Sequence, residues 1–469
     1  MEARLFINGQ PVDGVGQFDV INPATAETFA TCPSADAALL DQAVAAARMA
    51  FPGWAAISVE ERAAMLEAIA DAMEARKDEF AELLSKEQGK PRHGGAAGET
   101  GGAIAWTRAT AKLRPTVDIL KDDESGRVEL HRKPLGVVAS ITPWNFPLMI
   151  AIWHVIPALL SGNTVIIKPS SNTPLTTLLF VEIANDILPP GVINSVTGEG
   201  GLGRMITGHP GIDKIVFTGS TPTGRNIMAN AAGNLKRLTL ELGGNDAAIV
   251  LPDADIDKIA PKIFAKSFGN SGQICAALKR LYVHEDVYDA LAGKLAEMAR
   301  SAKVGPGDDP ETQFGPLQNK AQRDFVAELA DDARVKGAVF LTGGETMEGP
   351  GYFYPLTIAI NVSDGMRIVD EEQFGPLLPI IKYNDVEDAL SRANNNANGL
   401  GGSIWSADVD RATALAKRLE SGTAWVNDHA TISPDIPFGG AKQSGLGVEF
   451  GHHGLEEYMQ FQTIRINRA

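Results

Sequence analysis

Short runs of β-branched and aliphatic residues alternate with helix-length stretches through the middle of this chain, and no other feature constrains its fold as much. The runs LGVVASI, NTVIIK, KIVFTG and LTLEL fall between Leu135 and Val250. Helical stretches that begin near prolines, glycines or hydroxyl residues separate them. A strand can return to a parallel neighbour only through a covering crossover, so this order implies a mostly parallel sheet buried on both faces. RLYVHE, AVFLTG and LPIIKY repeat the alternation after Asp253 and predict a second α/β lobe. The turn Glu241-Leu-Gly-Gly244 marks the boundary between the two.

The segment through about Arg114 is rich in Ala, Glu and Leu, with apolar positions at helical spacing, and is expected to be helical. Ser58 with Glu61 forms the pattern of a capping box ahead of Met65, Leu66, Ile69 and Met73. Between Val117 and Pro134 the pattern changes to strict alternation around Arg127 to Arg132. This predicts a hairpin standing between domains. The last residues, MQFQTIRINRA, read as one more strand, pairing with that hairpin or with another subunit.

With 469 residues, the chain has material for two or three compact bodies. A hydrophobic content of 44% with 21% charged residues is that of a globular protein rather than a disordered or fibrous one. The net charge of -16 disfavours non-specific attraction to nucleic acid or an anionic membrane. The opening MEARLFINGQPVDG lacks a basic segment followed by an apolar run, so no secretory signal is read there. No stretch approaches the roughly 20 apolar residues that span a bilayer. Cys32 and Cys275 are the two cysteines, too few for a disulfide framework or a multi-cysteine zinc site. A soluble, cytoplasmic protein is expected.

Four segments carry chemistry-bearing residues. Cys275 sits in Gly269-Asn-Ser-Gly-Gln-Ile-Cys275, where small neighbours leave a thiol approachable. Helix-start amides beside it would raise its thiolate fraction. From this segment alone, a nucleophile and a buried apolar thiol fit equally. Glu241 ends LTLEL beside two glycines, where a carboxylate can face a cleft as a general base; a cap or surface ion pair is the commoner use. Asn145 lies between two prolines in Thr142-Pro-Trp-Asn-Phe-Pro147, held where its amide can donate to an oxyanion, although a turn-forming role is more frequent. Phe217-Thr-Gly-Ser-Thr-Pro-Thr-Gly224 joins a strand to a helix and offers free amides for a pyrophosphate without matching G-x-G-x-x-G.

Taken in order, Pro143-Trp-Asn-Phe-Pro147, Lys168-Pro-Ser170, Phe217-Thr-Gly-Ser220, Leu240-Glu-Leu-Gly-Gly244, Gly272-Gln-Ile-Cys275, Glu371-Glu-Gln-Phe-Gly-Pro376 and Pro437-Phe-Gly-Gly440 resemble the aldehyde dehydrogenase superfamily. The resemblance runs from Phe6-Ile-Asn-Gly9 and Asn22-Pro23 to Lys442-Gln-Ser-Gly-Leu-Gly447. It implies two parallel-sheet α/β lobes, one Rossmann-like, with a small β oligomerisation element. Residues 1–114 and 134–243 would bind the cofactor, 244–442 would form the catalytic domain, and 115–133 with 443–469 would supply the oligomerisation hairpin and terminal strand. The implied reaction oxidises an aldehyde to its acid with NAD or NADP and without a metal. Cys275 resembles the nucleophile that forms a thiohemiacetal and then a thioester. Asn145 and the Cys275 N–H resemble the oxyanion hole, and Glu241 the base that activates water. Trp144, Lys168, Ser170, Ser171, Gly219, Ser220, Leu242, Glu372 and Phe374 fall at cofactor-binding positions. Phe146, Met149, Trp153, Ile274 and Phe438 fall at positions that line the substrate tunnel.

Where relatives that prefer NAD often carry Glu, three residues beyond the lysine, this chain has Ser171, so NADP use is expected. Relatives that acylate coenzyme A typically lack the glutamate matched by Glu241, which favours water as acceptor and a free acid as product. Trp153 stands where succinic semialdehyde dehydrogenases typically have arginine, so the tunnel is expected to take uncharged aliphatic or aromatic aldehydes. The hairpin and terminal strand imply a homodimer or homotetramer. The competing readings are a coenzyme A acylating enzyme or a thiol esterase using the same Cys275, and a silent structural or binding relative.

Overall fold

The computed structural model describes residues 3–468, so Met1, Glu2 and Ala469, which the expected domain spans and terminal strand include, lie outside the described residues. The first sheet has the order Gly445–Leu446, Arg237–Glu241, Lys214–Thr218, Val137–Ile141, Thr164–Lys168, Ile193–Ser195. Its members are parallel except the edge strand Gly445–Leu446. Three central strands are buried at every residue because helices cover both faces. The period of two sorts their side chains. Val138 joins the core under helices Val59–Ala75, Ala97–Ala111 and Pro147–Leu160, while Val137, Ala139 and Ile141 join the core under Ala37–Ala56 and Gly200–Gly208.

The second sheet has the order Val339–Thr342, Thr357–Ile360, Leu377–Tyr383, Leu278–His284, Asp246–Val250, Gly401–Trp405, Thr423–Val426. Only Val339–Thr342 runs antiparallel to its neighbour. The chain passes from one sheet to the other at Leu242 to Asn245, on the turn expected from the sequence. A third sheet pairs Met459–Asn467 with Gly126–Pro134 and the latter with Asp118–Asp123, all antiparallel. The terminal strand therefore closes onto the hairpin within its own chain. Among the described residues no helix is long and apolar enough to cross a membrane.

The first segment departs from the helical expectation. Residues Leu5–Ile7 pair with Gln10–Val12, and Gly16–Asn22 with Glu27–Ser34, before the first helix begins at Ala37. Asn8 and Gly9 both have positive φ, 54° and 76°, the backbone of a tight hairpin turn that Asn-Gly favours. Further on, the expected capping box is present. Ser58 accepts from the Glu61 N–H and the Glu61 carboxylate accepts from the Ser58 N–H.

Candidate active site

Strands of the first sheet step outward in opposite directions from a point between Val137–Ile141 and Lys214–Thr218. Loops leaving the carboxyl ends of strands on either side of such a point diverge and leave a crevice. Every residue singled out in the first lobe follows one of those ends: Trp144 and Asn145 after Ile141, Lys168 with Ser170 and Ser171, Gly219 and Ser220 after Thr218, and Glu241 with Leu242. The second lobe presents the opposite ends of its strands. Cys275 precedes Leu278–His284, and Glu372 and Phe374 precede Leu377–Tyr383.

A cavity of about 240 Å³ lies where the two sets meet, lined by Trp144, Asn145, Gly219, Ser220, Leu242, Cys275, Glu372 and Phe374, together with Pro143, Thr218, Gly243 and Gln322. A second cavity of about 500 Å³ lies between the ends of Val137–Ile141 and Thr164–Lys168 and the helices Gly200–Gly208 and Thr221–Ala231, and it includes Lys168 and Arg204. Arg204 was not singled out from the sequence. It follows Gly198-Glu-Gly-Gly-Leu-Gly203, a strand-to-helix glycine run that fits G-x-G-x-x-G and would have pointed to it. Ser170 and Ser171 occupy the partly exposed turn after Lys168.

The crevice suits a dinucleotide. The Ser220 hydroxyl pairs with that of Thr223 at 2.9 Å and makes no cap bond to the backbone of helix Thr221–Ala231, leaving first-turn amides for a pyrophosphate. A Cβ on Gly219 would run into the Phe217 ring, so the backbone there is free to be approached closely. Burial holds the Lys168 ammonium down at about 8, and it would be relieved by an anion. Glu372 accepts from the Gly244 N–H at 3.2 Å, and burial pushes its carboxyl up to about 7 despite the Lys279 ammonium nearby. Phe374, held at φ 45°, packs edge-on to Trp144 with centroids 5.3 Å apart.

The thiol environment differs from the sequence expectation. Helix Ile256–Phe268 ends before a tight turn at Gly269–Gly272, in which Asn270 and Ser271 have φ of 50° and 55°. Cys275 thus lies beyond a helix end rather than at a helix start. Desolvation, reinforced by Glu372, Glu241 and Asp246, pushes its thiol well up, opposed by a bond from the Ala276 N–H. The residue itself is partly exposed. Asn145 is buried, and its Nδ2 donates to the Gln273 carbonyl at 3.0 Å. Glu241 is 4% exposed, and neither carboxylate oxygen has a hydrogen-bond partner. Burial first, then the charges of Glu449 and Glu457, raises its carboxyl well above the usual range.

Of the expected tunnel residues, Trp153 and Phe438 share one apolar cluster with Cys275. The same cluster contains Trp106, Phe450 and Trp425, which sequence reasoning missed, and Ile432, from the loop Asp428–Asp435 that the sequence places at the tunnel mouth. Trp106 and Trp153 lie 5.6 Å apart and both pack against the Phe450 ring. Phe146, Met149 and Ile274 lie outside that cluster; Phe146 instead packs under the Lys90 ammonium and Met149 against the core of the first lobe.

Comparison with known proteins yields one family. Residues 11–464 match the model of the aldehyde dehydrogenase family. Aldehyde dehydrogenase 1A1 of Oryctolagus cuniculus is 38% identical over 474 residues, covering 99% of this chain and 95% of the relative. The NAD+ complex of an aldehyde dehydrogenase from Bacillus cereus superposes with a TM-score of 0.97 at 35% identity, covering 100% of this chain and 97% of that one. Betaine aldehyde dehydrogenase from Staphylococcus aureus, also bound to NAD+, gives 0.96 at 32% identity, covering 100% and 95%.

Proposed function

This chain belongs to the aldehyde dehydrogenase family and oxidises aldehydes with NAD(P), and we propose that Cys275, Asn145 and Glu241 carry the reaction. The Cys275 sulfur attacks the aldehyde carbon, its proton passing to the Glu241 carboxylate and on to solvent, as the C=O electron pair moves to the carbonyl oxygen. Asn145 and the Cys275 N–H hold that oxygen. When bound, the nicotinamide cofactor supplies the hydride acceptor, leaving a thioester on Cys275. Glu241 takes a proton from water as its oxygen adds to the thioester carbon, and the C–S bond then breaks to give the acid and the restored thiol.

The observation that carries this reading is Glu241: two buried carboxylate oxygens without protein partners, close enough to Cys275 to influence its thiol. A buried polar atom left unpaired costs stability, so a group kept this way has a use for its free lone pairs. A glutamate here favours hydrolysis over transfer to coenzyme A. The presence of all three groups likewise disfavours a silent relative. The test compares two variants. Cys275→Ala is expected to abolish reduced-cofactor formation, while Glu241→Gln retains one turnover and loses the rest; steady turnover by Glu241→Gln equal to that of the unaltered chain would overturn the role.

NADP is the proposed preferred cofactor. Ser171 adds no negative charge beside Lys168, and Arg204 in the same cavity is a cation available to a ribose 2′-phosphate. Lys168, Ser170, Ser171, Gly219, Ser220 and the first turn of Thr221–Ala231 would hold the adenosine and pyrophosphate. Trp144, Leu242, Glu372 and Phe374 would seat the nicotinamide end. The aromatic cluster around Trp153 presents apolar surface where a guanidinium would clamp a second carboxylate, which supports uncharged aliphatic or aromatic aldehydes. A panel of benzaldehyde, hexanal and succinic semialdehyde tests this, and best turnover of the last would refute it. We assign residues 1–114 and 134–243, with the edge strand Gly445–Leu446, to cofactor binding, 244–442 to catalysis, and 115–133 with the remainder of 443–469 to assembly as a homodimer or homotetramer in the cytoplasm.

A further inference from the structure

We infer that the buried ion pair Lys90–Glu99 is a positioning device for the oxyanion donor Asn145, an assignment that rests on the catalytic reading above. Both side chains are almost wholly removed from solvent, 2% and 0% exposed, and their charged ends touch. Such a pair contributes little net stability compared with apolar packing, because each ion loses its hydration. Its bonds to the surroundings show what else it holds. Lys90 Nζ donates to the backbone carbonyl of Asn145 at 2.7 Å. The same ammonium lies 3.6 Å from the centre of the Phe146 ring, the next residue along. Glu99 Oε1 accepts from the N–H groups of Leu148 and Met149 at 3.0 and 3.1 Å.

These contacts fix one turn from both ends. Phe146 supplies no side-chain cap to helix Pro147–Leu160, and Pro147 has no N–H, so Glu99 takes the place of the missing cap from a distant helix. Its negative charge also suits the positive end of that helix. Lys90 balances the charge and pins the carbonyl just before the helix begins. Asn270, in the strained turn leading to Cys275, donates to the same Asn145 carbonyl at 3.1 Å. The Asn145 backbone is thereby tied to the thiol-bearing loop on one side and to the ion pair on the other. Its side-chain amide leaves a backbone that cannot swing, as preorganised stabilisation of a developing charge requires. Neither Lys90 nor Glu99 lines the cavity, and the lining residue that the pair contacts is Asn145, so the pair acts through it.

The test measures the burst of reduced cofactor in a stopped-flow instrument, with NADP+ and hexanal, on four full-length chains: unaltered, Lys90→Met/Glu99→Gln, Asn145→Ala, and all three changes together. The paired change removes both charges while keeping volume and a neutral acceptor for the helix amides. It is expected to slow the burst roughly tenfold to a hundredfold, with the NADP+ dissociation constant unchanged. In the Asn145→Ala chain the same change is expected to slow it less than about twofold, because the group being positioned is gone. A paired variant with an unaltered burst, or slowdowns that multiply in the combined chain, would overturn the inference alone. An unaltered burst in Asn145→Ala would instead sink the oxyanion reading, and the inference with it. Should the paired variant not fold, Glu99→Asp keeps the charges and shortens the reach to Leu148 and Met149. Its slowing should vanish in the Asn145→Ala background, and full persistence there would contradict the assignment.

Discussion

Glu241 holds two oxygens that no protein group engages, and its protonation sets a pH dependence. Burial and the charges of Glu449 and Glu457 raise its carboxyl, so it stays protonated to a higher pH than a free glutamate would. A protonated carboxyl cannot take a proton from water. Thioester hydrolysis should therefore speed up as pH rises through this raised range, and Glu241→Gln should remove that limb while lowering steady turnover by roughly a hundredfold or more. Single-turnover hydrolysis followed against pH checks it, and an unchanged limb in the variant would refute it. Ser171 governs a second expectation: Ser171→Glu should shift the ratio of kcat/KM values for NADP and NAD by about tenfold or more toward NAD, through repulsion of the 2′-phosphate. An unmoved ratio would remove Ser171 from cofactor choice. Local pattern alone left Cys275, Glu241 and Asn145 open between a catalytic and a structural use; the order of the motifs around them, which resembles the aldehyde dehydrogenase superfamily, is what singled them out. Lys90 and Glu99 were not, because their partner Asn145 is 55 residues from Lys90 and no local pattern links them. The direction of the Cys275 shift was also hidden, since it comes first from burial and then from nearby carboxylates, both of which only the assembled fold sets.

The central strands of the first sheet could be read from the sequence because parallel strands covered on two faces need unbroken β-branched runs, as in Val137–Ile141 and Thr164–Lys168, whereas shorter or glycine-bearing strands such as Ile193–Ser195, Thr357–Ile360 and Gly401–Trp405 were not read. The amino-terminal hairpins could not. Leu5–Ile7 and Gln10–Val12 are three residues each, one of them largely exposed, and the helical content that follows dominated the window. Asn8-Gly9 was the available signal. Gly272 shows how one element holds another. It has φ 74°, and a Cβ there would meet the Gly375 carbonyl, the backbone beside Glu372 and Phe374. Gly272→Ala should cost about 2 kcal/mol from backbone strain alone and more from the clash, and it should displace the thiol loop relative to the Glu372 loop. Thermal melting with kcat measurement tests this, with loss of both expected; an unaffected kcat would show that the two loops are not coupled.

At the scale of the whole molecule, two sheets meet with opposite strand ends facing, so the proposed reaction would be shared between lobes: Cys275 comes from one, and Glu241 and Asn145 from the other. The third sheet leaves strand Met459–Asn467 exposed along most of its length, with Phe461, Ile464 and Ile466 among its outward residues. Ile464 and Ile466 fall on one face of that strand and Phe461 on the other, and exposed apolar side chains of this kind suit burial against another subunit. A chain ending at Tyr458 is expected to lose assembly, read as a lower mass by light scattering during gel filtration, and an unchanged mass would move the interface elsewhere. The central claim is that one sulfur is transiently acylated. Intact-protein mass spectrometry of Glu241→Gln mixed with NADP+ and hexanal tests it most directly. The account predicts a gain of one hexanoyl group, mapped to Cys275 and absent from Cys275→Ala; reduced cofactor accumulating with no adduct on that sulfur would contradict it.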